Sequence, residues 1–147
     1  MTPSPFRRIV VAVLASTAAF ALGCGNNLSP LTPSTTSSSP FVQTDLVIGT
    51  GATANSGNRV TVAYTGWLYD PSKPDSKGAA FDSSNGYTLQ FTASNVIQGW
   101  VRGVAGMKVG GQRRLIIPPD LGYGAQMVGS IPPNSTLVFE VTLLNVL

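Results

Sequence analysis

Two periodicities sort the apolar residues of this chain. Over residues 59–68 they alternate, with Val60, Val62 and Tyr64 on one face and Thr61, Ala63 and Thr65 on the other; over residues 136–147, Leu137, Phe139, Val141 and Leu143 share a face in the same way. Alternation with a period of two is the pattern of a half-buried β-strand. Between these stretches, Ile97, Trp100, Val101 and Val104 recur at i, i+3, i+4 and i+7, which places them on one side of an α-helix. Thr92 or Ser94 can cap the start of that helix, while Gly99, Gly103 and Gly106 weaken it and keep it short. Packing against a sheet must therefore hold it.

Shorter strand patterns occupy residues 45–49, which leave through Gly49-Thr50-Gly51, residues 87–91, which follow the hairpin-turn signal Asn85-Gly86, and residues 112–117, stopped by Pro118-Pro119. Residues 70–77 form a polar, proline-containing loop that interrupts a hairpin, residues 107–111 a turn, and residues 121–133 a further loop. The pattern predicts an α+β fold: a curled, mostly antiparallel sheet of about five strands wrapped around one short α-helix. Leu89, Leu115 and Val141 read as core. Tyr64, Phe81, Tyr87, Tyr123 and Phe139 read either as core or as the wall of a partly open apolar pocket, because one short helix cannot cover so many aromatic rings.

The first 44 residues follow neither period. Arg7 and Arg8 precede an apolar run over residues 9–22, so residues 1–23 read as a secretory signal peptide. The run falls short of the roughly 20 apolar residues of a membrane span. Ala21-Leu22-Gly23-Cys24 resembles a bacterial lipobox, which implies lipidation of Cys24 and a membrane anchor; Ala19-Phe20-Ala21 is an alternative cleavage site that would leave Cys24 a free thiol. Residues 24–44, rich in Ser, Thr and Pro, lack the apolar side chains needed to offset the entropy of ordering and read as a disordered tether. The globular domain is then 45–147, in an exported protein of the periplasm or cell envelope.

Charge and composition narrow the chemistry. The chain has 147 residues and a net charge of +3, but Arg7 and Arg8 belong to the leader, and beyond it seven basic against six acidic residues leave +1. Such a domain does not suit a nucleic-acid backbone. Lys108, Arg113 and Arg114 are its only basic grouping and read as a solvated strand edge. There is no histidine and only one cysteine. A Ser-His-Asp or Cys-His arrangement is thus excluded, the usual nitrogen ligand for a metal is missing, and no intramolecular disulfide can form. No cofactor or metal is expected. If the chain is an enzyme, this composition points to a reaction in which no covalent bond is made or broken.

Five segments carry a resemblance that fits this constraint: Val62-Ala63-Tyr64-Thr65-Gly66, Phe81-Asp82-Ser83-Ser84, Val96-Ile97-Gln98-Gly99-Trp100, Tyr123-Gly124-Ala125, and Ile131-Pro132-Pro133 leading to Leu137-Val138-Phe139. In this order and spacing they closely resemble the FKBP family of peptidyl-prolyl cis-trans isomerases, here in an exported, lipoprotein-like bacterial form. The resemblance implies a pocket for a proline ring, with Trp100 as floor and Tyr64, Phe81, Val96, Ile97, Tyr123, Ile131 and Phe139 as walls. Tyr87 stands at a pocket position where the family more often has Phe. The resemblance also implies that the Ile97 N–H and the Tyr123 hydroxyl hold substrate carbonyls, and that Asp82 sits at the rim beside the twisting amide; Asp82 read from the residues alone also fits a turn carboxylate. The loop between Tyr123 and Ile131 is one residue short, with Ser130 replacing an aliphatic, and residues 70–80 are an insertion. These departures bear on substrate preference and on affinity for macrolide inhibitors of the rapamycin type. The implied partners are proline-containing polypeptides, acted on by a monomer. The alternative is a binding module or holdase for proline-containing or unfolded segments.

Overall fold

The computed structural model describes residues 39–147; the leader, Cys24 and most of the tether lie outside the described residues. Five strands, β1 (Val42–Val47), β2 (Arg59–Tyr69), β3 (Lys77–Gln90), β4 (Gln112–Ile117) and β5 (Leu137–Val146), form one antiparallel sheet in the order β1-β4-β5-β2-β3. Among the described residues there is one α-helix, α1 (Gln98–Val104), which lies between β3 and β4 in the chain and packs on β4. The expected α+β architecture is the one observed.

The alternating residues do what their period dictates. Val60 and Val62 of β2 and Leu137, Phe139, Val141 and Leu143 of β5 are buried together with Leu89, Leu115, Ile117, Trp100 and Val104 in one core between the sheet and α1. The helix glycines have a packing reason. A Cβ on Gly99 would run into the Ile117 side chain and one on Gly103 into Leu115, so their absence lets α1 lie directly on β4. The approach that costs the helix intrinsic propensity gains it contact with the sheet.

Five expectations are corrected. No side chain caps α1: its N-cap is Ile97, and Thr92 instead accepts the N–H groups of Asn95 and Val96 through its carbonyl. Asn85-Gly86 is not a hairpin turn. It lies inside β3, where Val62 pairs with Tyr87 and Tyr64 with Ser84, so Ala63 alone faces both residues across a bulge. The polar loop after β2 is accordingly the connection of one long hairpin and contains a 3-10 turn, Pro74–Ser76. Arg113 and Arg114 are not a solvated edge. Strand β4 lies between β1 and β5, and the Arg113 side chain, 11% exposed, donates to Asp45 and to the Gly103 carbonyl. Strand β1 also starts at Val42, three residues before Asp45, because residues 42–45 pair with Ile116, Leu115, Arg114 and Arg113.

Candidate active site

The face of α1 turned to the sheet carries Trp100, and three strands bring rings to meet it. The Trp100 indole is 6% exposed and lies edge-on to Tyr64 of β2 and Phe139 of β5, with ring centroids 5.2 and 5.5 Å apart. Phe81 of β3 stands edge-on to Phe139 at 5.5 Å, and Tyr87 edge-on to Tyr64 at 6.2 Å. Edge-to-face rings at these separations attract one another beyond their buried area. Gly66 permits the arrangement: a Cβ there would stand 2.6 Å from Phe81 Cζ and 2.8 Å from Phe139 Cε1.

The rings enclose an open cavity of about 210 Å3 lined by Tyr64, Phe81, Asp82, Tyr87, Asn95, Val96, Ile97, Trp100, Tyr123 and Phe139. Every expected pocket residue except Ile131 is on this wall. Ile131 is buried and lines a neighbouring cavity with Val128, Gly129 and Ser130; that cavity shares Phe81, Asp82 and Tyr123 with the first. Asn95 was not expected. It adjoins Val96 in the turn before α1, and its side-chain amide donates to the Gln90 carbonyl, so nothing in its local pattern separated it from an ordinary turn residue.

Polar groups on this wall are few. The Tyr64 hydroxyl donates to Asp82 Oδ2 at 2.6 Å, fixing the carboxylate at the rim. Burial, together with the hydrogen bond to Asp82, pushes the Tyr64 phenol above its ordinary value; burial and then the charge of Asp82 do the same for Tyr123. Both phenols are therefore protonated donors at neutral pH. Neither the Ile97 N–H nor the Tyr123 hydroxyl has an acceptor among the described residues, and both belong to residues on the cavity wall. The buried Trp100 Nε1 is also without a partner among them.

Comparison with known proteins gives the family of the chain. The sequence model of the FKBP-type peptidyl-prolyl cis-trans isomerases matches residues 51–144. The chain belongs to the FKBP-type peptidyl-prolyl cis-trans isomerase family. It is 47% identical over 103 residues to an FK506-binding protein of Neisseria meningitidis, covering 69% of this chain and 92% of that one. It is 43% identical to FK506-binding protein 1 of Aspergillus oryzae over 105 residues, 67% of this chain and 90% of that one. The crystal structure of a peptidyl-prolyl cis-trans isomerase from Pseudomonas syringae pv. tomato superposes with a TM-score of 0.61 at 37% identity, covering 72% and 74% of the two chains.

As an FKBP-type isomerase, the chain departs from a plain aromatic bowl at one side. The loop after Tyr123 closes as a small hairpin in which Val128 and Ile131 exchange both backbone hydrogen bonds, with Gly129 at φ 56°. Met127 and Val128, which lead into its Gly129-Ser130 turn, are 71% and 37% exposed, and Tyr87 on the cavity wall is 46% exposed. The site thus combines a buried floor with a solvent-facing apolar margin.

Proposed function

We propose that this FKBP-type domain accelerates rotation about X-Pro bonds in exported polypeptides, working from the cell envelope and anchored through a lipidated Cys24. Rotation must break amide resonance against a barrier of roughly 18–20 kcal/mol, and the uncatalysed reaction takes tens to hundreds of seconds. No bond is made, so the protein's task is differential binding of the twisted amide. The proline ring would lie on the Trp100 indole between Tyr64, Phe81 and Phe139. Against these apolar rings the planar, charge-separated amide is disfavoured relative to the twisted one. The Ile97 N–H and the Tyr123 hydroxyl would then hold the flanking carbonyls, and Asp82, fixed by Tyr64, would face the rotating amide at the rim. A thousandfold acceleration asks for only about 4 kcal/mol of differential stabilisation.

The observation that carries this reading is the coincidence of two donors without an acceptor among the described residues, Ile97 N–H and Tyr123 O–H, with an aromatic cavity large enough for a small ring. The same cavity supports binding of macrolide inhibitors of the rapamycin type. A proline-peptide isomerisation assay on the full chain tests the activity: acceleration that a macrolide of this type abolishes is expected, and a rate equal to buffer refutes it. Mass spectrometry of the mature N-terminus tests the anchor, where a diacylglyceryl-modified Cys24 is expected and cleavage after Ala21 refutes it.

A second reading, a holdase that binds apolar or proline-containing segments without turning them over, is favoured by the exposed Met127, Val128 and Tyr87 beside the cavity. Peptide binding without rate enhancement, undiminished in Trp100→Leu, would select it.

A further inference from the structure

The outer face of the sheet, opposite α1, carries a cluster of charges that isomerase chemistry does not use. Lys77, the first residue of β3, places Nζ 2.7 Å from Glu140 Oε1 on β5 and 3.9 Å from Asp75 Oδ2. Arg114 on β4 donates to the same Glu140 oxygen from Nε and Nη2, at 3.1 and 2.9 Å, and from Nη1 to Asp75 Oδ1 at 2.9 Å. The Lys77 ammonium also stands 4.7 Å above the Trp67 ring of β2. Glu140, whose side chain is 16% exposed, is the hub. A shared, half-buried network of this kind is a stronger restraint than an isolated surface pair.

The strand that begins at this cluster is the one whose position is least secured by its own ladder. β3 is at the edge of the sheet and pairs only with β2, placing 14 residues opposite 11. Three bulges absorb the excess. Asn85 and Gly86 face Ala63; Gly66 pairs with Asp82 and Trp67 with Ala80, leaving Phe81 as an extra residue; Gly78 and Ala79 face Leu68. A bulge re-aims a side chain, and a slip of one residue would turn Phe81 and Asp82 to the opposite face. Bulges flank that pair on both sides, so the backbone ladder alone sets its register weakly. Asp75 and Ser76, immediately before β3, both hold φ at 57°, a conformation that such residues keep only where their surroundings impose it.

We propose that Lys77, Glu140 and Arg114 are positioning residues for the active site. By fixing where β3 starts, they fix Phe81 in its bulge and keep Asp82 within reach of Tyr64, although the network and the pocket occupy opposite faces of the sheet. The proposal rests on the isomerase reading for its kinetic consequence and on β3 geometry for its structural one.

The test uses the full chain, with Lys77→Met, which keeps the aliphatic stem over Trp67 and removes the charge, and Glu140→Gln. Michaelis constants, turnover and the amide chemical shifts of Phe81 and Asp82 are measured for both variants, and for the unmodified protein as sodium chloride is raised. The expected result is a KM about threefold to tenfold higher with a smaller change in kcat, since misplacing a binding wall acts first on productive geometry. The amides of Phe81 and Asp82 shift or broaden, and high salt moves the unmodified protein towards the variants, which keep the Arg114–Asp75 pair and respond less. A lowered melting temperature with unchanged kinetics and unchanged Phe81 and Asp82 amides would show that the cluster only holds the fold, and would overturn the proposal. If a variant fails to fold, the salt series decides: Phe81 and Asp82 amides and a KM that stay flat to high salt overturn it equally. If the unmodified protein proves inactive, the isomerase reading fails, while the amide shifts still decide the positioning.

Discussion

Gly66→Ala adds one methyl group to the strand that separates two walls of the pocket. Its Cβ would stand 2.6 and 2.8 Å from Phe81 Cζ and Cε2 and 2.8 Å from Phe139 Cε1. Carbon atoms at rest sit about 3.5–4.0 Å apart, so one ring must retreat by about 1 Å. Phe139 is 3% exposed and held edge-on by Trp100 and Phe81, whereas Phe81 is only partly buried on an edge strand. Phe81 therefore moves, and the cavity wall moves with it. Overpacking of this size costs about 1–3 kcal/mol of stability, which in a domain of this size lowers the melting temperature by about 4–8 °C per kcal/mol. Activity should suffer more, because a displacement of 1 Å in a site that works by orientation can cost about a hundredfold. Urea unfolding and proline-peptide isomerisation on the same preparations separate the two effects. A variant whose kcat/KM stays within about twofold of the unmodified chain would refute the reasoning that ring packing around Gly66 defines the productive wall.

Tyr64→Phe keeps the ring beside Trp100 but removes the 2.6 Å bond to Asp82; kcat/KM should fall about tenfold, the loss of one bond to a charged group, and unchanged kinetics would remove Asp82 from the account. Gly103→Val drives a side chain into Leu115 where α1 meets β4, and a loss of about 1–3 kcal/mol is expected in urea unfolding. Burial raises the Glu140 carboxyl, but the hydrogen bonds from Lys77 and Arg114 outweigh it and hold the group below its ordinary value of 4.5. A depressed folded value means stability that is present above the unfolded value and lost as the pH falls through the folded one. The melting temperature should therefore decline as the pH drops below about 4.5, and Glu140→Gln should flatten that decline; identical acid profiles would contradict it.

Where a pattern reports burial directly, the sequence was readable. The expected bounds of β4, residues 112–117, coincide with the observed strand, because a six-residue run stopped by two prolines leaves the backbone little choice. The face of α1 and the inward residues of β2 and β5 were visible for the same reason. Asn85-Gly86 misled because turn propensity is local while strand pairing is not. β2 is long enough to pair along both sides of the dipeptide, and the sheet absorbed it as a bulge. The bulge at Phe81 has no local signature at all. Arg113 looked like a surface cation because its acceptors, Asp45 and the Gly103 carbonyl, come from distant parts of the chain. For the candidate site, the family's motifs picked out wall residues but also Ile131, which lines the neighbouring cavity, while Asn95 and the exposed Met127 and Val128 had no such signal.

The central claim is that a proline ring seated on Trp100 has its amide rotated there. Exchange NMR on a peptide present in both cis and trans forms, with a substoichiometric amount of the full chain, tests it most directly. The indole N–H signals report in the same experiment, since Trp67 lies on the outer face under Lys77 and Trp100 lines the cavity. Cis–trans exchange much faster than in buffer is expected, with the Trp100 indole signal shifting as peptide is added and that of Trp67 staying in place. Exchange no faster than in buffer, or a peptide response at Trp67 with none at Trp100, would contradict it.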